Sequence, residues 1–509
     1  MKTKYTLLIS LLFTIICFSQ PEIEWQKSFG GTSYEYANST QQTNDGGYII
    51  AGSARSDDGD VVGNHGGHDC WIIKLTSSGI VEWKKTIGGS LFDGANSVQQ
   101  TTDGGYIIGG YTESNDGDVT NQFGGGDVWI VKLDDLGSIE WEKSFGGTAQ
   151  ETIYSIKQTI DGGFIAAGAT ASNDGDITVN YGYSDFWVVK LTATGILDWQ
   201  KSYGGSQYEI AYSIQQTEDE GFIVVGYSFS EDGDLTENNG IHDYWILKLT
   251  PNGSIEWQKS YGGSSEERAY SIYQTSDGGY IVGGFSKSSN GDITNNHGWY
   301  DSWVIKINSI GVLEWEKSFG GSDYDRANSV QQTLDGGYII GGYTTSVDGD
   351  ILNSYGGGDV WILKLTSIGN IEWQKTLGGS GEESATSIQQ TIDGGFIIGG
   401  NSNSDDGDLT NNQGLSDFWV VKLGSELGMN EYDLNTAFLY PNPTNGIVTI
   451  ETANLSEINI YDSLGKLSFR QKMENVNSNT IDVSHLTKGV YTIHITTLEG
   501  KETKKLVIK

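Results

Sequence analysis

An all-β chain is predicted by three observations. Tryptophan recurs at a strict 58-residue interval, 72 Gly stand against four Pro, and short β-branched and aromatic segments are punctuated by Asp-Gly turns. At 509 residues the chain is long for one ordinary domain, so the repeats govern the reading.

Two tryptophan series share the period. Trp25, Trp83, Trp141, Trp199, Trp257, Trp315 and Trp373 form one; Trp71, Trp129, Trp187, Trp245, Trp303, Trp361 and Trp419 form the other, each two residues after an Asp and three before a Lys. The second copy serves as the pattern for four strands per repeat. Ala95 to Thr101 is strand one, Thr102-Asp103-Gly104-Gly105 a turn, Tyr106 to Thr112 strand two, Asp127 to Leu133 strand three, and Ser138 to Phe145 strand four after the turn at Leu136-Gly137. Four antiparallel strands per repeat make the blade of a β-propeller.

Strand counting predicts how the ring closes. Strands one to three occur seven times, ending near Leu423, and no strand four follows the last set. Pro21 to Phe29, with Trp25, matches strand four of the other units. Pairing it with the last blade closes a seven-bladed ring and removes the open edge. In this architecture, though not in its motif, the chain resembles WD-repeat propellers. An open solenoid needs polar capping repeats, and neither end shows one.

The start of the chain is basic at Lys2 and Lys4, apolar from Tyr5 to Phe18, and ends in Ser19-Gln20. That run is shorter than the roughly 20 residues of a membrane helix, so residues 1–19 read as a secretory signal cleaved after Ser19, and no membrane span is expected. Ile16 before Cys17 argues against a lipidated cysteine, and after cleavage Cys70 is the only cysteine, so no intrachain disulfide supports the fold. Net charge is −36, and residues 437–509 contribute eight Lys and Arg against seven Asp and Glu, so the negative charge lies in the repeats. Such a body repels phosphate backbones and anionic lipid, which excludes nucleic acid and membrane surfaces as its partners.

Repetition stops near Gly424, giving a propeller over 20–424, a linker over 425–436 and a C-terminal domain over 437–509. That domain reads Leu439-Tyr440-Pro441-Asn442-Pro443-Thr444-Asn445-Gly446, later Ile460-Tyr461-Asp462-Ser463-Leu464-Gly465-Lys466, then Leu486-Thr487-Lys488-Gly489-Val490-Tyr491, and ends Lys504-Lys505-Leu506-Val507-Ile508-Lys509. It resembles the type A C-terminal sorting domain of the type IX secretion system, carrying the Pro-Asn-Pro turn, the Gly-x-Tyr strand and the basic terminus in order. The resemblance implies an Ig-like β-sandwich handled by that secretion machinery. It also implies a cargo secreted from, or attached to the outer surface of, a diderm bacterium.

Connection lengths predict where a site lies. The one-to-two and three-to-four turns are tight, whereas the two-to-three and four-to-one connections are long and share one face, the expected binding surface. Each two-to-three connection carries an acidic pair: Asp58 and Asp60, Asp116 and Asp118, Asp174 and Asp176, Asp232 and Asp234, Asn290 and Asp292, Asp348 and Asp350, Asp406 and Asp408. Such oxygen-rich loops suit Ca2+, although their spacing is not that of an EF-hand, and Asp and Gly are also good turn residues in their own right. A second acidic series, Glu35, Asp93, Glu151, Glu209, Glu267, Asp325 and Glu383, is expected to make one structural bond per blade, since catalysis needs a carboxylate once or twice. The strand-one glutamines Gln42, Gln100, Gln158, Gln216, Gln274, Gln332 and Gln390 are expected to satisfy backbone groups near the central channel, and both tryptophan series to pack between blades.

His65, His68 and Cys70 belong to one repeat and do not read as a zinc site. Trp299 is the tryptophan outside both series and lies beside Tyr300; with Tyr183 in the equivalent loop, these aromatics are the candidate ligand-binding residues, suited to stacking on a sugar or filling a partner's pocket. No nucleophile elbow, phosphate loop or zinc-protease helix is present. The expectation is a monomeric, non-catalytic, adhesin-like protein for an extracellular glycan or protein ligand. The alternative is a propeller-based polysaccharide lyase or glycosidase, which near-identity of the blades disfavours because catalysis needs an asymmetric constellation.

Overall fold

The computed structural model describes residues 20–409, 411–425, 438–440, 442, 444, 446–461, 466–497 and 501–509. The signal segment with its cleavage point, the linker beyond Ser425, Pro441, Pro443, Asn445 and the residues from Asp462 to Gly465 lie outside them. The chain divides into two units, at Glu426 and Leu427.

The first unit is a seven-bladed propeller of four-stranded antiparallel sheets. In the second blade the strands are Asp93–Gln100, Tyr106–Thr112, Asp127–Leu133 and Ile139–Phe145. Strand one thus begins two residues earlier than its alternation indicates. A register shift between Ala95 and Ser97 breaks the alternation, and Asp93 still pairs with Thr112 beyond it. The tight hairpin follows the Asp-Gly chemistry: the Gly104 N–H donates to Thr101 O, and Gly104 sits at φ +91°. One blade departs, placing Glu220 at φ +66° where the others have Gly.

Closure occurs as the strand count requires. Ile23–Phe29 pairs antiparallel with Asp417–Leu423, completing the sheet of the last blade. Trp419 Nε1 donates to Gln26 Oε1 at 2.7 Å across that seam, as Trp187 does to Gln200 within its own blade at 2.8 Å. Lys422, buried like the equivalent lysine of every blade, meets Glu24 at 3.3 Å and Asp393 at 3.0 Å.

Both tryptophan series pack, each differently. The strand-three rings are at most 2% exposed and lie in cores shared by adjacent blades, Trp71 for instance with Ile397, Phe418 and Val420. The strand-four rings meet the aromatic that opens strand two of the next blade edge-on, as Trp83 meets Tyr106 at 5.7 Å.

The second unit has strands Phe438–Tyr440, Ile447–Tyr461, Leu467–Asp482, Gly489–Thr497 and Lys501–Ile508. The long strand Ile447–Tyr461 breaks register between Glu451 and Glu457 and pairs with three others. Val448, Ile450, Ile458, Ile460, Ile493, Ile495 and Leu506 form its core, an arrangement compatible with a sandwich. Asn442 Oδ1 accepts from the Val507 N–H at 2.9 Å, tying Asn442 to the terminal strand.

Candidate functional site

The long connections are braced from within. The first residue of each loop pair accepts a backbone N–H from the neighbouring four-to-one connection: Asp58 from Thr32 at 2.8 Å, Asp116 from Ser90, Asp174 from Thr148, Asp232 from Ser206, Asn290 from Ser264, Asp348 from Ser322 and Asp406 from Ser380. Asp118, Asp176, Asp234, Asp292, Asp350 and Asp408 accept from the glycines that open those connections, Gly88 to Gly378, at 3.0–3.1 Å. Asp60 instead pairs with Lys84 and Gln413, both at 2.8 Å.

The second acidic series is buried and accepts an N–H in every blade, from Gly31 to Glu35 at 2.8 Å through Gly379 to Glu383 at 2.7 Å. Among the described residues no three His, Cys, Asp or Glu side chains gather as a metal-holding group. Cys70 is buried in apolar core with its thiol pKa driven up by burial, His65 bonds Asp69 at 2.7 Å, and His68 stacks between Tyr36 and Phe92.

The half-buried glutamines of strand one satisfy backbone groups, as expected. The turn N–H groups of Asn44, Thr102, Ile160, Glu218, Ser276, Leu334 and Ile392 each donate to the Oε1 of the next blade's glutamine, Gln100 round to Gln42.

Beside these braced loops the long-connection face carries a group of aromatics. Trp299 is 55% exposed and lies edge-on to Tyr300 at 4.9 Å; Tyr300 meets Tyr324 at 5.0 Å, and Tyr324 meets Tyr343 at 6.0 Å. The Lys287 ammonium stands over Trp299 and Tyr300. The Tyr300 hydroxyl donates to Glu266 at 2.9 Å, and burial together with that carboxylate pushes its pKa up to about 12.

Tyr183, 60% exposed, lies apart from Trp299 but stacks on Tyr208 at 5.1 Å, which leads through Phe229 and Tyr227 to Arg268. The Arg268 guanidinium also covers Phe285, which abuts Tyr300. The three aromatics singled out in the sequence are thus parts of one arc. It ends in a cleft of about 500 Å3 lined by Tyr324, Arg326, Tyr343, Glu382, Asn401, Tyr34 and Tyr36. Arg326 stacks on Tyr343 and Tyr324, and its buried Nε has no acceptor among the described residues.

Arg326, Tyr324 and Tyr343 were not legible as site residues from any motif. The available signal was variation inside a strict repeat. The column of Arg326 holds Tyr36, Gly94, Thr152, Ile210, Arg268 and Ser384, whereas framework columns scarcely change.

Fold and sequence together define a repeat protein with a seven-bladed propeller and a second, C-terminal unit. Residues 438–509 match the family described as Secretion system C-terminal sorting domain, so this end of the chain is the type IX sorting domain and the protein is exported to the cell surface or extracellular space. Among the described residues no helix is long and apolar enough to cross a membrane.

Over 221 residues the chain is 23% identical to the Regulatory protein FlaEY of Caulobacter vibrioides, a match covering 39% of this chain and 23% of that protein. The chain therefore spans about a quarter of that curated relative. Among solved structures, it is similar to the Pan2 WD40 domain of Neurospora crassa, with 10% identity and a TM-score of 0.42 over 78% of this chain and 95% of that one. It is also similar to puromycin hydrolase, with 10% identity and a TM-score of 0.47 over 86% and 62%.

Proposed function

We propose that the propeller is a non-catalytic extracellular binding module whose long-connection face takes a glycan chain. The observation that carries this reading is the aromatic arc from Tyr183 to Tyr343, interleaved with Arg268, Lys287 and Arg326 and opening into a cleft. Flat aromatic faces bearing cations and hydroxyls suit a ligand with apolar C–H faces and polar edges, which is the surface of a pyranose. Tyr227 and Phe285 within the arc are buried, so sugars would meet its exposed parts, Tyr183 with Tyr208 and Trp299 with Tyr300.

Catalysis by paired carboxylates finds little support in the cleft. Glu382 is exposed, but its neighbour Glu383 is buried, accepting from the Gly379 N–H and the Ser402 hydroxyl. A glycan array with the wild type, Trp299→Ala and Arg326→Ala tests the reading, run beside a polysaccharide-degradation assay. Each substitution is expected to weaken binding at least tenfold, about 1.4 kcal/mol. Trp299→Ala should leave the melting temperature unchanged, because the ring is more than half exposed. Undiminished binding in both variants rejects the arc, and depolymerisation of a bound glycan replaces the binding module with an enzyme.

Calcium at the aspartate pairs is tested separately. Backbone N–H groups already engage one oxygen of Asp116 and of Asp118, so millimolar Ca2+ and NaCl of equal ionic strength are expected to give the same melting temperature. A rise specific to calcium places a cation in the loops.

A further inference from the structure

The central channel holds about 540 Å3 and is walled by strand-one residues of the blades. In a protein with 66 Asp and Glu against 30 Lys and Arg, that wall contains no carboxylate, and its one charged side chain is Lys157. The buried strand-three lysines each meet at least one Asp or Glu, Lys190 for example meeting Asp161 at 2.9 Å. Lys157 has no such partner among the described residues.

The ring around it is equally one-sided. At the position of Lys157 the other blades carry Gln41, Gln99, Gln215, Tyr273, Gln331 and Gln389. Each of these glutamines spends its Oε1 on the backbone N–H of the next blade, Gln41 accepting from Gln100 at 2.7 Å and Gln389 from Gln42 at 2.9 Å. An oxygen fixed in that way leaves the amide N–H groups as the free ends. The channel is thus a ring of donors around a single cation.

Lys157 gives up the inter-blade bond that glutamine makes in five other blades, so its presence is a loss to the ring taken alone. We propose that the central channel binds a small oxyanion, a carboxylate or a phosphate, held by the Lys157 ammonium and the surrounding glutamine N–H groups. Oxyanion oxygens accept several such donors at once, and a charge-assisted bond to an ammonium is the strongest of them. Burial lowers the pKa of Lys157, and a bound anion restores the stability of its charged form. This site is separate from the aromatic arc, and its occupant is a small solute.

Lys157→Gln is the decisive variant, because it supplies the residue the fold already accepts at this position. Calorimetric titration of the propeller with phosphate, sulfate, acetate and glucuronate at low ionic strength is expected to show binding by at least one of them, which also separates phosphate-like from carboxylate ligands. In Lys157→Gln that binding should fall at least tenfold while the melting temperature holds or rises, and Trp299→Ala should bind the anion as the wild type does. Equal binding by Lys157→Gln, or no binding of any of the four up to about 10 mM, overturns the site.

Discussion

Removing residues 20–29 is expected to lower the melting temperature of the propeller by at least about 5 °C and to drive it towards association. The segment is short, but its loss leaves Asp417–Leu423 as an unpaired edge. Phe29 leaves the core it shares with Phe418 and Val420, at roughly 1.5–3 kcal/mol for a buried aromatic. Trp419 Nε1 loses its acceptor Gln26, costing about 1–3 kcal/mol if that donor stays buried. Lys422 loses Glu24, and Trp25 leaves Tyr48 and the turn at Gly79.

At an unfolding entropy of about 2.1 cal/mol/K per residue, 5 kcal/mol corresponds to about 6 °C for roughly 400 residues. The exposed strand is also a template for pairing with a second chain, which light scattering reads directly. A permuted chain supplies the control: residues 23–29 are moved to follow Leu423 through a turn such as Thr76-Ser77-Ser78-Gly79-Ile80, which joins strands three and four of the first blade. Permutation should restore the wild-type melting temperature. If the deletion melts like the wild type, the seam contributes nothing and the closure argument fails.

Closure was readable from sequence because it is a counting problem. Three strands at one end and one at the other add up only one way when the repeat never slips. The second and third strands were equally legible, since unbroken runs such as Asp127–Leu133 are buried along their length. Strand one was clipped because a bulge at Asn96 shifts its alternation, and bulges leave no composition mark.

The site was harder for a related reason. Residues that recur seven times are selected by packing and loop bracing, as the Asp116 and Asp118 bonds show. Trp299 was visible as the odd tryptophan, but its neighbours Tyr324 and Tyr343 come from other segments, and their contact exists only once the blades are side by side. The unpaired channel cation at Lys157 likewise becomes apparent only when the seven strand-one positions are brought to a common wall.

The propeller should be more stable near pH 5 than at pH 8, against the usual behaviour of ion-paired carboxylates. The aspartate that opens strand three is buried in every blade, and one oxygen of each, from Asp69 to Asp417, has no hydrogen-bond partner among the described residues. Burial, reinforced by the facing Glu of the second acidic series, raises Asp127 to about 6 and Asp185, Asp243 and Asp417 to about 7. Their unfolded values lie near 3.9. Between about pH 4 and 7 the folded chain therefore holds more protons than the unfolded one, so stability present below about pH 4 is lost as pH rises through 6 to 7.

The hairpin aspartates act in the other sense. At Asp45, Asp161 and Asp277 burial is outweighed by hydrogen bonds from Lys and Thr, which bring the pKa to about 2. Their stabilisation is complete above about pH 4 and constant across the window. His68 and His242, whose pKa values burial lowers, oppose the slope, but Asp69, Asp301 and Asp359, also raised by burial, add to it.

Between pH 5 and folded values of about 6 and 7 the four aspartates span about seven pH units in all, about 9.5 kcal/mol at about 1.4 kcal/mol per unit; realising half of that, they contribute about 5 kcal/mol, or about 6 °C. Melting curves at pH 5.0, 6.5 and 8.0 in high salt check this, since salt screens the surface repulsion of the −36 net charge but not the buried groups. Asp185→Asn with Asp243→Asn should flatten the slope, because an amide oxygen still accepts from the Tyr181 and Asn239 N–H groups while nothing ionises. A melting temperature that rises from pH 5 to 8 means the buried aspartates are charged at no cost, and the linkage argument is then wrong.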